Sequence, residues 1–183
     1  MFSLLTSVVA AIAFASAGVS ATPVARGTCA PNAQGSGVSI ESVQYSGLEW
    51  GDHNTTPTNG DVIVSSSFRG LAAPDFHVQQ SGQVPTSYII RDVNNNNLAV
   101  TTEGSQLHFT PTSNSGNQAN QLFDIACQSC AFDTTPGQAA GSQCTISPHG
   151  QNNQCVTSGQ HAADPLAVTG CTGSNAQLFN IVF

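Results

Sequence analysis

Apolar residues along the chain alternate with polar ones in runs of about six, as in Val38-Ser39-Ile40-Glu41-Ser42-Val43 and Leu98-Ala99-Val100. Alternation of this period puts successive side chains on opposite faces of a strand. Clusters of Gly, Asn, Ser and Pro break the runs every 8 to 12 residues, the spacing of short strands joined by tight turns. Beyond the first twenty or so residues no segment sustains a helical period. The pattern predicts an all-β chain.

One pattern returns. Gln177-Leu178-Phe179-Asn180-Ile181 has a close copy 56 residues earlier, Gln121-Leu122-Phe123-Asp124-Ile125. A worn copy, Pro74-Asp75-Phe76-His77-Val78, lies 47 residues before that. Ile40, Ile90 and Ile146 recur at nearly the same spacings, 50 and 56 residues. Between each Ile and its Phe the sequence places a turn, a second strand (Leu48-Glu49-Trp50, Leu98-Ala99-Val100, Cys155-Val156-Thr157), a loop, and a third strand (Val62-Ile63-Val64, Leu107-His108-Phe109, Leu166-Ala167-Val168). Three pseudo-repeats of four short strands follow. A two-sheet sandwich also has short strands at this spacing. A threefold return favours a β-trefoil, six strands closing a barrel and six capping one end, because one such unit cannot bury its own apolar face. The predicted core is Ile40, Val43, Leu48, Ile63, Phe76, Val78, Ile90, Val93, Leu98, Phe109, Phe123, Ile125, Ile146, Val156, Leu166, Val168, Phe179 and Ile181.

Composition changes the picture at the N-terminus first. Residues 4–15 are almost wholly apolar and lead to Val19-Ser20-Ala21, a small-residue cleavage signature. Residues 1–21 are therefore expected to be a signal peptide, too short to be a membrane span, and residues 22–183 one secreted, extracellular domain. There is no Lys, and three Arg stand against ten carboxylates, a net charge of −7. That balance argues against nucleic acid and anionic membranes as partners. Six cysteines behind a signal peptide predict three disulfides. Cys155 with Cys171 is the first expected bridge, because the strands that carry them are neighbours in a trefoil; Cys130 with Cys144 and Cys29 with Cys127 follow. Cys127-Gln128-Ser129-Cys130 has the spacing of half a zinc site, but no second pair completes it, so neither a metal nor a cofactor is expected. Asn54-Thr55-Thr56 is a glycosylation sequon in a polar loop.

The run from Cys155-Val156-Thr157 to Cys171-Thr172-Gly173-Ser174-Asn175-Ala176-Gln177-Leu178-Phe179 resembles a ricin B-type lectin repeat. Asn120-Gln121-Leu122-Phe123 resembles the same motif, with Phe where the family usually has Trp. The resemblance covers roughly residues 88–183 and is faint in the first unit, where Pro74 replaces Gln. It implies a β-trefoil and, commonly, carbohydrate binding. The family's sugar-binding Asp on the second strand is missing: aligned on the repeats, Trp50, Val100 and Thr157 occupy its place. The family's Asn survives as Asn120 and is Ala176 in the third unit.

Two patches are candidates for a rebuilt site. One gathers Gln106, His108, Asn120 and Gln121, with Glu103 beside them. The other is Trp50 with Asp52 and His53, if that Trp is exposed for sugar stacking instead of capping the barrel. Gln121 and Gln177 also have a structural reading, bonding backbone at the strand mouth. No nucleophile elbow, zinc-binding His pair or facing pair of acids appears, so no enzyme is expected. The expected partner is a glycan or glycoprotein. Two other classes stay open: a trefoil gripping a protein target through the loop from Gly51 to Gly60, as protease inhibitors do, and a host-interaction protein with decayed sites.

Overall fold

The computed structural model describes residues 29–33, 35–52, 54, 56–67, 75–84, 86–131, 135–151 and 153–183. The signal-peptide segment, His53 and Pro74 lie outside these. Thirteen strands form: β1 (Gly37–Ser42), β2 (Leu48–Asp52), β3 (Ile63–Ser67), β4 (Phe76–Gln80), β5 (Ser87–Asp92), β6 (Leu98–Glu103), β7 (Gln106–Pro111), β8 (Phe123–Ala126), β9 (Ser129–Cys130), β10 (Ala139–Pro148), β11 (Gln154–Thr157), β12 (Ala167–Gly170) and β13 (Phe179–Val182). The chain is all-β, and its architecture is a β-trefoil.

Six strands close on themselves. β1 pairs with β4, β4 with β5, β5 with β8, β8 with β10, β10 with β13, and β13 with β1 again, every pair antiparallel. Closure leaves this barrel without an exposed edge. The hairpins β2–β3, β6–β7 and β11–β12 form the cap. They interlock cyclically, one pairing per neighbour: Val62 with His108, Gln106 with Ala167, and Val64 with Pro165.

The pseudo-symmetry extends to single hydrogen bonds. Phe76, Phe123 and Phe179 stand opposite Asp92, Pro148 and Ser42. The amides that follow, Val93, His149 and Val43, donate to the carbonyls of Asp75, Leu122 and Leu178 at 3.0, 2.8 and 3.0 Å. All three Phe side chains are buried in one core, with Ile40, Ile90 and Ile146. Val43, Leu48 and Val93 of the predicted core are only half-buried.

Two expectations are corrected here. Trp50 is 1% exposed and belongs to the core, not to a sugar-stacking surface. It packs edge-on against Phe76 and Phe179, centroids 6.2 and 5.4 Å away. The register explains this: Trp50 sits where the other units carry Val100 and Val156, both fully buried.

The cysteines differ as well. Cys155 bonds Cys171, but Cys29 bonds Cys130 and Cys127 bonds Cys144, in place of Cys29–Cys127 and Cys130–Cys144. Strand parity decides it. Phe123, Ile125 and Cys127 alternate onto the barrel's inner side, as Cys144 and Ile146 do, and all five are buried. Cys130, three residues on, has the opposite parity. Cys29 and Cys127 are neighbours only through their backbones, exchanging amide–carbonyl bonds of 3.1 and 2.9 Å. Gly141 makes room for the inner bridge, since a Cβ there would stand 2.5 Å from Cys127 Sγ.

Candidate functional site

The two copies of the Gln motif build the same knot. Gln177 Nε2 donates to Thr157 Oγ1, Thr169 Oγ1 and the Gly170 carbonyl at 3.1, 3.2 and 2.9 Å, and Gln177 Oε1 accepts from Thr172 N at 2.8 Å. Gln121 Nε2 donates to Thr101 Oγ1, Thr110 Oγ1 and the Pro111 carbonyl at 3.3, 2.9 and 2.8 Å, and its Oε1 accepts from Ser113 N at 2.9 Å. Both Gln side chains are buried, so each amide's donors and acceptor are satisfied internally. In the first unit the places of the two Thr are taken by Gly51 and Ser66, and a Cβ on Gly51 would meet Ser66 Cβ at 2.6 Å. That unit has no room for the knot.

The knot also fixes the register of the missing acid. Thr101 and Thr157 hold equivalent places, opposite His108 and Ala167, and Gly51 stands opposite Val64. The three positions are Gly51, Thr101 and Thr157, one residue later in the first two units than the repeats alone indicate. None carries a carboxylate. The hydroxyls that replace it are held by Gln121 and Gln177.

Around the second knot, β6 and β7 present a polar face. Glu103 is opposite Gln106 and Thr101 is opposite His108. Glu103, Gln106 and Asn120 are exposed, while His108 is half-buried with Nδ1 3.3 Å from the Gly60 carbonyl oxygen. Asn120 and Gln121 lie in the short 3-10 turn Ala119–Gln121 that precedes β8. Gln106, His108, Asn120 and Gln121 thus belong to one region, with Gln121 as its frame. Trp50 and Asp52 do not join it. Asp52 lines a separate small cavity with Asp75, Asp92, Asn54 and Asn94. Among the described residues no three His, Cys, Asp or Glu side chains are arranged to hold a metal ion. The loop expected to probe a partner is stitched to β7: Gly60 N donates to the Phe109 carbonyl and Phe109 N to the Asp61 carbonyl, both at 2.8 Å, over a buried Pro57.

Sequence reasoning missed two features on the barrel wall. Asp124 pairs with His149, Oδ1 to Nδ1 at 2.7 Å. Glu41 stands opposite Glu49 across β1 and β2, and Glu49 is buried. Burial, and secondarily the neighbouring Glu49 carboxylate, raise the Glu41 carboxyl above its ordinary range. The signal was available in the repeats: positions one after each Phe and one or three after each Ile differ in every unit.

With the geometry in hand, the relatives are structural. The chain superposes on a designed threefold-symmetric protein, ThreeFoil, with a TM-score of 0.60 at 10% identity, covering 80% of this chain and 97% of that one. It superposes on the C-terminal half of an earthworm R-type lectin solved with GalNAc, with a TM-score of 0.56 at 16% identity, over 79% of this chain and 96% of the other. A mosquitocidal holotoxin matches with a TM-score of 0.62 at 14% identity over 81% of this chain, which spans 17% of that toxin. These likenesses show a common β-trefoil fold. No family model matches the sequence, and no curated protein matches it.

Proposed function

We propose that the protein is a secreted, lectin-like carbohydrate-binding β-trefoil whose family-type sugar acid is gone and whose contacts are rebuilt from uncharged polar groups. The observation that carries this is the β6–β7 face. Exposed Gln106, Glu103 and Asn120 stand beside His108 on a scaffold whose own polar atoms are already satisfied through Gln121. Amides, an imidazole and one carboxylate suit the hydroxyls of a neutral glycan, which both donate and accept. The earthworm R-type lectin of the same fold is solved with GalNAc, and its mutant domain with 6'-sialyllactose. Export after Ala21, three disulfides and a glycan on exposed Asn54 belong to the same reading; N-terminal sequencing should begin at Thr22, and PNGase F treatment should lower the mass.

The test is a glycan array and polysaccharide pull-down on the oxidised protein. Asn120→Ala and Gln106→Ala should each weaken capture at least about tenfold, roughly 1.4 kcal/mol, with unchanged thermal midpoints. Unaltered capture in both variants removes this face from the account. The protein-partner reading is weaker, because the loop it needs is bonded down along β7.

A further inference from the structure

The barrel wall carries a second polar groove, on the third unit and away from the hairpin cap. It is lined by Thr86, Asp124, Ala126, Thr145, Ser147 and His149. Its origin lies in the pseudo-symmetry. Asp124 follows Phe123 as His77 follows Phe76 and Asn180 follows Phe179. It stands opposite Ser147, as His77 stands opposite Arg91 and Asn180 opposite Glu41. His149 occupies the place that Val43 and Val93 fill in the other units, on the same backbone hydrogen bond. The fold therefore asks for neither an acid at 124 nor an imidazole at 149. Only the third unit has both, and they are bonded at 2.7 Å.

We infer that this groove is a binding subsite for one neutral sugar residue of a glycan, an inference that rests on the carbohydrate-binding reading above. Asp124 and His149 side chains are 34% and 32% exposed, so a ligand reaches the pair. Asp124 gives one oxygen to the imidazole and keeps the other within 3.4 Å of Gly150 N only, leaving lone pairs to accept from sugar hydroxyls. The bond to Nδ1 fixes the ring's orientation and, with Nδ1–H donating, makes Nε2 an acceptor. Thr145 donates to the Ala126 carbonyl at 3.3 Å, and its hydroxyl oxygen still accepts. The ring of His149 and the methyl of Ala126 offer a small apolar surface to the C–H face of a pyranose. A nucleophilic reading fits less well, because Ser147 Oγ is turned to Cys155 Sγ at 3.7 Å. An anion would meet the Asp124 carboxylate.

The substitutions that test this are ones the fold already tolerates: Asp124→Asn installs the residue type of position 180, and His149→Val that of positions 43 and 93. The oxidised protein is titrated with methyl glycosides of glucose, galactose, mannose and N-acetylglucosamine while amide chemical shifts are followed. At least one glycoside should shift the amides of Thr86, Asp124–Ala126 and Thr145–Gly150 saturably, and each variant should weaken that response at least tenfold with an otherwise unchanged spectrum. Shifts confined to Glu103–His108 and Asn120 overturn the inference and leave the cap reading intact. A groove response that both variants retain also overturns it. No response to any glycoside overturns it too, and the wider reading then stands or falls separately on the polysaccharide pull-down.

Discussion

Trp50→Ala separates an aromatic that binds from one that holds the fold together. The side chain is 1% exposed and meets Phe76 and Phe179 edge-to-face. Truncating a buried Trp to Ala costs about 3–5 kcal/mol through lost burial and the cavity left behind. One term runs the other way. Trp50 Nε1 has no hydrogen-bond partner among the described residues, and deleting an unsatisfied buried N–H returns about 1–3 kcal/mol. The net expectation is a loss of about 2–3 kcal/mol, a large part of the 5–15 kcal/mol that holds a typical domain. Trp50→Phe keeps a ring and removes the N–H, so it should stay within about 1 kcal/mol of the parent. The assay is urea unfolding followed by far-ultraviolet circular dichroism, disulfides intact, comparing midpoints at constant slope. Because Trp50 is the only Trp, native fluorescence should also be blue-shifted and poorly quenched by iodide. If Trp50→Ala lost less than about 0.5 kcal/mol, the value for an ordinary surface site, with iodide quenching near that of free Trp, the core assignment would be refuted.

Three more predictions concern the frame. Gln177→Ala should cost about 2–3 kcal/mol, because four hydrogen bonds go at once and Thr157, Thr169 and Gly170 lose their common donor; a double-mutant cycle with Thr157→Val should give a coupling of at least about 0.5 kcal/mol, and strict additivity counts against the knot. Peptide mapping without reduction should recover Cys29–Cys130 and Cys127–Cys144, and removing the first, which spans 101 residues, should destabilise more than removing the second, about 4–5 against about 3 kcal/mol on loop entropy. The Glu41 carboxyl, raised by burial and then by Glu49, binds its proton more tightly folded than unfolded, so its contribution is best below its ordinary value of 4.5 and declines as pH rises from there through the folded value. Glu41→Gln should therefore raise the thermal midpoint at pH 7 and leave it unchanged near pH 3; equal effects at both pH values would contradict the linkage.

The architecture was legible because its determinants repeat. Phe76, Phe123 and Phe179 sit at fixed offsets from Ile40, Ile90 and Ile146, and a common core requires those offsets. What the sequence hid depends on which way a side chain faces. Trp50 beside Asp52 looks like a sugar platform until the strand's parity places it with Val100 and Val156. Cys127 and Cys130 are nearly adjacent in sequence, yet one points into the barrel and the other away from it. In the third hairpin, Cys155 invites alignment with Leu48, whereas the knot of Gln177 with Thr157 sets the strand one residue earlier, starting from Gln154. The site was half legible. Gln106, His108, Asn120 and Gln121 came together as a region because they flank one motif. Asp124 and His149 did not, because they lie 25 residues apart and meet only when β8 pairs with β10. Comparing the three units position by position finds them, since the scaffold is free to vary exactly where it does not need threefold agreement.

The most direct test of the central claim is the salt dependence of glycan capture by the oxidised protein. A neutral sugar held by hydroxyls, amides and one His–Asp pair on a chain of net charge −7 should give saturable binding that changes less than about twofold between 0.05 and 0.5 M salt, because no counterions are released. Capture restricted to charged polysaccharides and abolished by the higher salt, or no capture of any neutral glycan, would contradict the claim.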